Sequence, residues 1–247
     1  MMPTRTPSGV CLLRWATSGV PFQKGNSTME IITTGSGIEV LLRWVHVLAG
    51  ITWIGVLYYF NFIQTPFFGS ELGGTAKGAM TRGLVPNALW WFRWGAMFTF
   101  LSGWTIVAYR WGHLGIPLSD GYMTKILTGG IMGSIMWFNV WFIIWPAQQV
   151  VIANAEQVAG GGEPIPEAAA RGGRAGMASR VNTLLSIPML FFMISAANLP
   201  GFLSGNNDLV YWIVAGLIIA LVEVQALIGP GAATQKPLTS VSGTIHG

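Results

Sequence analysis

The chain has 247 residues, of which 52% are hydrophobic and 9% are charged, and its mean hydropathy is +0.55. Because soluble domains carry about 25% charged residues, this composition excludes an ordinary water-soluble fold. The net charge of +4 is small, and no basic patch interleaved with aromatic residues occurs, which argues against nucleic acid as a partner. The single cysteine, Cys11, excludes an internal disulfide.

The N-terminal segment, residues 1–34, differs from the rest of the chain. It is rich in proline, glycine and basic residues, and its apolar piece at 10–13 is too short for the core of a secretory signal. We expect a disordered tail, or one that docks on a partner. Translation starting at Met29 is an alternative explanation of this segment.

Five apolar runs follow, each long enough or nearly long enough to cross a bilayer core, which needs about 20 residues. They lie at 38–63, 89–109, 123–145, 182–197 and 209–227. In lipid each backbone amide needs an internal hydrogen bond, so the runs are predicted to be helices. The sequence therefore predicts an all-α, polytopic transmembrane bundle of about five spans over residues 35–228. A soluble loop at about 147–179 and a C-terminal tail at 229–247 complete the predicted organisation. Within that loop the third helix could continue through 153–158, the segment GGGEP at 160–164 breaks it, and an amphipathic helix at 167–180 could lead into the fourth run.

The first run contains a histidine at membrane depth, His46, where ionisable groups are costly and usually functional. Helical spacing places Gly50, Trp53 and Gln64 on the same stripe as His46, with Asn61 beside it. Gly50 leaves space next to the imidazole. Either a haem ring whose iron His46 binds or a neighbouring helix could fill that space.

Polar residues in the later runs allow similar pairs of explanations. Arg93 either extends to the headgroups or pairs with an anionic group such as a haem propionate. Met189 and Met193, one turn apart, are either core residues or sixth ligands of a haem. Glu223 is either a proton-active group or a solvated carboxylate. The amides expected to bond neighbouring helices are Asn61, Gln64, Asn139 and Asn182.

Several of these segments resemble one known family. The segment WVHVLAGITWIG at 44–55, followed by YFNF at 59–62, resembles the first membrane helix of the bacterial membrane-bound urate oxidase (urate hydroxylase) family. The segments WFRW at 91–94, MWFNVWFIIWP at 136–146 and SRVNTLLSIPMLFFM at 179–193 are similar to further motifs of the family and its short stand-alone relatives. The resemblance covers about residues 39–220.

The resemblance implies a multi-pass protein of the bacterial inner membrane that, in full-length members, is joined to a cytochrome c domain. No Cys-x-x-Cys-His haem-attachment motif follows the fifth run here, and Asn198 stands where the family tends to have a histidine. We therefore expect an accessory, non-catalytic subunit of a larger bioenergetic or redox complex, with lipid and other integral membrane subunits as partners. The alternative is a membrane oxidoreductase or electron carrier linked to haem b or quinone, with His46, Gly50 and Arg93 at the cofactor.

Overall fold

A computed structural model describes residues 34–203, 209–228, 230–240 and 243–244 of the chain. The tail predicted at 1–34 lies outside the described residues except for Thr34. Regular structure in the described part is entirely helical. The helices, numbered in chain order, are α1 Gly35–Phe68, α2 Glu71–Gly83, α3 Val85–Ala108, α4 Gly121–Ala159, α5 Ala168–Asn198 and α6 Leu209–Leu227, with a 3₁₀ turn at Ala233–Thr239.

Side-chain caps determine where three of these helices begin. Thr34 accepts a hydrogen bond from Gly37 N at 3.2 Å, Ser70 accepts one from Gly73 N at 3.0 Å, and Asp120 accepts one from Tyr122 N at 2.8 Å. Each bond satisfies a backbone N–H that the first helical turn leaves without a partner. The starts of α1, α2 and α4 are thus encoded locally.

Four helices, α1, α4, α5 and α6, are long and apolar enough to cross a membrane. The chain is therefore a membrane protein with an all-α bundle, as the sequence predicted. The remaining predicted span also forms a helix, α3, which is not among these four candidate spans. Length alone, at 24 residues, would let α3 cross the bilayer core.

The connection between α4 and α5 is shorter than the predicted loop at 147–179. Helix α4 continues to Ala159 and α5 begins at Ala168, which leaves only residues 160–167 outside helices. Gly161, at a φ of +83°, turns the chain there, and Asn154 accepts a hydrogen bond from Ile165 N at 2.7 Å. The helical continuations predicted at 153–158 and 167–180 are therefore confirmed, with the break close to the predicted 160–164.

Helices α1 and α4 each contain a π-helical segment just before a proline. These segments are Tyr59–Gln64 in α1, before Pro66, and Asn139–Ile144 in α4, before Pro146. Proline cannot donate a backbone hydrogen bond, and the wider π turn accommodates that loss without ending the helix.

Glycines allow the helices to approach each other closely. A Cβ on Gly95 of α3 would lie 3.1 Å from Trp53 N of α1, and one on Gly129 of α4 would lie 3.3 Å from Met189 O of α5. Small residues at crossings promote helix association in lipid, where apolar burial offers little driving force. The pairs α1–α3 and α4–α5 consequently form two closely packed halves of the bundle.

Candidate cofactor-binding site

A cavity of about 590 Å³ lies between these two halves, bordered by α1, α3, α4 and α5. Its walls are mainly apolar, and its volume falls within the range of about 300–1,000 Å³ that is usual for ligand sites. Both His46 and Gly50, predicted from the sequence to lie beside a cofactor, line this cavity.

Ser102 of α3 orients the imidazole of His46. Its Oγ lies 3.2 Å from His46 Nδ1 and donates its own proton to Phe98 O at 2.5 Å. Because the hydroxyl proton is used in that bond, we assign the hydrogen between His46 and Ser102 to Nδ1. His46 Nε2 then carries the free lone pair, which is the state in which imidazole binds a metal.

Glycines on two helices create the space around this ring. Gly103 lets the ring lie against the backbone of α3, since a Cβ there would be only 2.9 Å from His46 Cε1. Gly130 and Gly133 line the cavity from α4, and a Cβ on either would meet no atom within 4 Å. Helical spacing indicated Gly50 beside the ring, whereas Gly103 belongs to the LSG segment at 101–103 that resembles the family's second motif. Its contact with His46 joins two different helices and follows from the tertiary structure.

A charged cluster borders one end of the cavity. Glu39 Oε1 accepts hydrogen bonds from Arg43 Nη2 at 2.6 Å and from Arg110 Nε at 2.8 Å. Arg43 Nη2 also donates to the Tyr122 hydroxyl at 2.9 Å, and the Arg110 guanidinium lies over the Tyr122 ring at 4.3 Å. Two guanidinium groups thus share one carboxylate, which leaves a net positive charge at this end.

Met189 and Met193 of α5 line the same cavity as His46. The Met193 methyl packs over Gly129, where a Cβ would lie 3.1 Å from Met193 Cε. A thioether and an imidazole are therefore both available to one ligand, from helices in opposite halves of the bundle.

Arg93 is not among the residues that line this cavity. Its guanidinium carbon lies 3.7 Å from the centroid of the Trp145 ring and 5.4 Å from that of Trp141. Arg93 is nine residues from Ser102 on α3, about 13 Å along the helix axis. The structure thus associates Arg93 with the α4 tryptophans by cation–π contact.

Three of the four predicted packing amides form hydrogen bonds between helices. Asn61 of α1 donates to Ser179 Oγ of α5 at 2.7 Å. Asn139 of α4 donates to Asn182 Oδ1 of α5 at 2.9 Å, and Asn182 donates to Met136 O at 3.0 Å. The Gln64 Oε1 atom is buried and has no hydrogen-bond partner among the described residues.

Asn198, at the position where the resemblance led us to look for a second histidine, lies at the exposed end of α5. Its side chain donates only to Ile194 O of its own helix, at 2.9 Å, and it is not among the residues that line the cavity. Nearby, the buried ammonium of Lys125 donates to Leu199 O at 2.7 Å and so caps the C-terminus of α5.

Residues 120–229 match the model of the family described as urate oxidase N-terminal. The match spans the described parts of α4, α5 and α6, and it confirms the resemblance for that part of the chain. No curated protein and no solved structure matches the chain.

Proposed function

We propose that this chain, whose residues 120–229 carry the urate oxidase N-terminal match, is an electron-carrying subunit of the bacterial inner membrane. In this proposal it holds haem b in the cavity between α1, α3, α4 and α5. The observation that carries the proposal is the position of His46, whose Nδ1 lies 3.2 Å from Ser102 Oγ and whose ring borders a cavity of about 590 Å³.

The residues around the cavity are of the types that bind haem b. His46 Nε2 would bind the iron, and the thioether of Met189 or Met193 would be available as a second ligand. Arg43 and Arg110 would pair with propionate carboxylates, because the two guanidiniums share only Glu39 in the described structure. The apolar walls would exclude water from the ring. Haem b, when bound, supplies transfer of single electrons.

The accessory-subunit hypothesis is compatible with this role. The family resemblance implies a cytochrome c as the electron partner in full-length members. We propose that other integral membrane subunits are the partners with which this chain exchanges electrons. The cavity favours a cofactor-holding subunit over a purely structural one, because an oriented imidazole beside a large cavity contributes little to packing.

A quinone is the alternative ligand of the same cavity. Tyr122 and the arginines could hydrogen-bond its carbonyl oxygens, and the apolar walls would accommodate its tail. The two ligands differ in their absorbance and in how they are extracted, so one preparation distinguishes them.

The test is a visible spectrum of the full chain purified from membranes in mild detergent. We expect a Soret band and reduced-minus-oxidised α and β bands, with about one haem per chain. His46→Ala is expected to abolish these bands, whereas His113→Ala, a histidine that stacks on Tyr109 outside the cavity, is expected to retain them. Folded protein with no haem bands would refute the haem proposal, and a stoichiometric extractable quinone would establish the alternative.

A further inference from the structure

We propose that Glu223 is a proton-binding carboxyl of the membrane-embedded bundle, held as a neutral acid against Asn139. This site is separate from the His46 cavity and does not depend on whether that cavity binds haem. Glu223 lies on α6 and Asn139 lies at the start of the π-helical segment of α4. Such π turns occur frequently at functional sites.

The hydrogen bonds around Asn139 determine which atoms remain without a partner. Asn139 Nδ2 donates one hydrogen to Asn182 Oδ1 and the other to Glu223 Oε2, both at 2.9 Å. Asn182 uses its own amide to donate to Met136 O at 3.0 Å. Both donors of Asn139 are therefore used, and its amide orientation follows from this chain of bonds.

Two buried oxygens are left over, Glu223 Oε1 and Asn139 Oδ1, and neither has a hydrogen-bond partner in the described structure. Both are acceptors when Glu223 is ionised, so neither can satisfy the other. One proton on Oε1 supplies the missing donor. The acid and the amide can then pair face to face, with N–H to Oε2 and O–H to Oδ1, after a small rotation of the carboxyl group.

The charges nearby also favour the neutral acid. The cationic residues on the helices packed against α6 are Lys125 on α4 and Arg171, Arg174 and Arg180 on α5. None of them forms an ion pair with Glu223 within the described ranges, and Lys125 is bound to Leu199 O. Burying an unpaired carboxylate in a bundle is unfavourable, and the group avoids this cost by keeping its proton.

The Glu223 carboxyl also has a route by which its proton could be exchanged. It borders a second cavity, of about 350 Å³, between α4 and α6. Glu223 is the only ionisable side chain among the described residues that line it, and the remaining walls are apolar apart from Thr128. The carboxyl is therefore shielded by neighbouring helices on one side and open to a narrow apolar groove on the other.

Glu39 provides an internal contrast. Like Glu223 it lies within a described membrane-spanning helix, but two arginines hold it as a carboxylate through bonds of 2.6 to 2.8 Å. A reagent that partitions into apolar environments and reacts only with protonated carboxyls should therefore distinguish Glu223 from Glu39.

The experiment is labelling of membranes containing the full chain with dicyclohexylcarbodiimide, followed by mass spectrometry of intact chain and peptides. The carboxyl O–H adds across one C=N bond of the reagent, and the adduct rearranges to a stable N-acylurea without loss of any atom. We expect one adduct per chain, on Glu223 and not on Glu39. Its rate should fall about tenfold per pH unit once the acid is mostly ionised, because the reactive fraction falls by that factor.

Glu223→Gln is the matched variant, because its amide keeps an acceptor for Asn139 Nδ2 and adds a donor for Asn139 Oδ1. It is expected to fold and to lose the adduct, whereas Glu163→Gln, in the exposed loop, is expected to retain it. No adduct at any pH, or an adduct whose rate is independent of pH, would overturn the proposal. Protection by NaCl but not by choline chloride at one pH would also overturn it, by identifying a sodium site.

Discussion

Replacing Gly103 by alanine is expected to displace the His46 ring from its hydrogen bond to Ser102 without unfolding the bundle. The new Cβ would lie 2.9 Å from His46 Cε1 and 3.2 Å from His46 Nδ1. Carbon atoms at rest lie about 3.5–4.0 Å apart, so the ring has to retreat by about 0.6 Å or more. The backbone of α3 cannot give way as easily as a side chain, so the imidazole moves.

The hydrogen bond between His46 and Ser102 would break if the ring moved by this distance. The distance from Nδ1 to Ser102 Oγ is already 3.2 Å, at the long end of the usual range. Losing the bond costs about 0.5–1.5 kcal/mol of folding free energy. Alanine in place of glycine inside a helix returns about 0.8–1.0 kcal/mol. The two terms nearly cancel, so thermal stability is expected to change little while the orientation of His46 changes.

The assay compares Gly103→Ala with Gly133→Ala, a cavity-lining control where a Cβ meets no atom within 4 Å. We expect Gly103→Ala to lower the haem content per chain or shift the Soret band, with an unchanged melting temperature. Gly133→Ala is expected to keep both. Equal spectra for Gly103→Ala and the parent protein, or an equal loss in both variants, would refute the geometric reasoning about His46.

Two further predictions concern single hydrogen bonds. Ser102→Ala removes the acceptor that orients His46 and is expected to weaken haem retention several-fold, measured by haem transfer to apomyoglobin; Ser134→Ala, on the same cavity, should not. Asn182→Ala removes bonds between α4 and α5 and is expected to cost about 0.6–1.7 kcal/mol for each bond lost in thermal or denaturant unfolding. Asn198→Ala, whose amide bonds only its own exposed helix, should cost less, and equal losses would contradict the assignment.

The helical class was predictable because composition alone determines it. A chain with 9% charged residues and apolar runs of this length has few options in lipid besides helices. The stripe through His46 and Gly50 was also readable, because helical periodicity assigns residues of one run to one face. The continuation of α4 and α5 into polar sequence was also predictable, because the glycine run at 160–162 and Pro164 mark the break that leaves only residues 160–167 as the loop.

The sequence pattern did not predict which side chains of different helices contact each other. The sequence left Arg93 either extending to the headgroups or pairing with an anionic group, and only the structure shows its guanidinium over the Trp145 ring of α4. Glu223 could be interpreted as a solvated carboxylate near a helix end. Its bond to Asn139 depends on how α6 packs on α4, and no periodicity within either helix specifies that.

The sequence by itself determined that this is an apolar helical membrane protein, that His46 faces protein, and that residues 120–229 resemble the urate oxidase N-terminal family. Only the tertiary structure brought His46 together with Ser102 and with the methionines of α5, and Glu39 with Arg110. The physical reason is that periodicity acts within one helix. A cavity or a shared proton depends on the register between helices, which is determined by glycine contacts and buried polar bonds far apart in the chain.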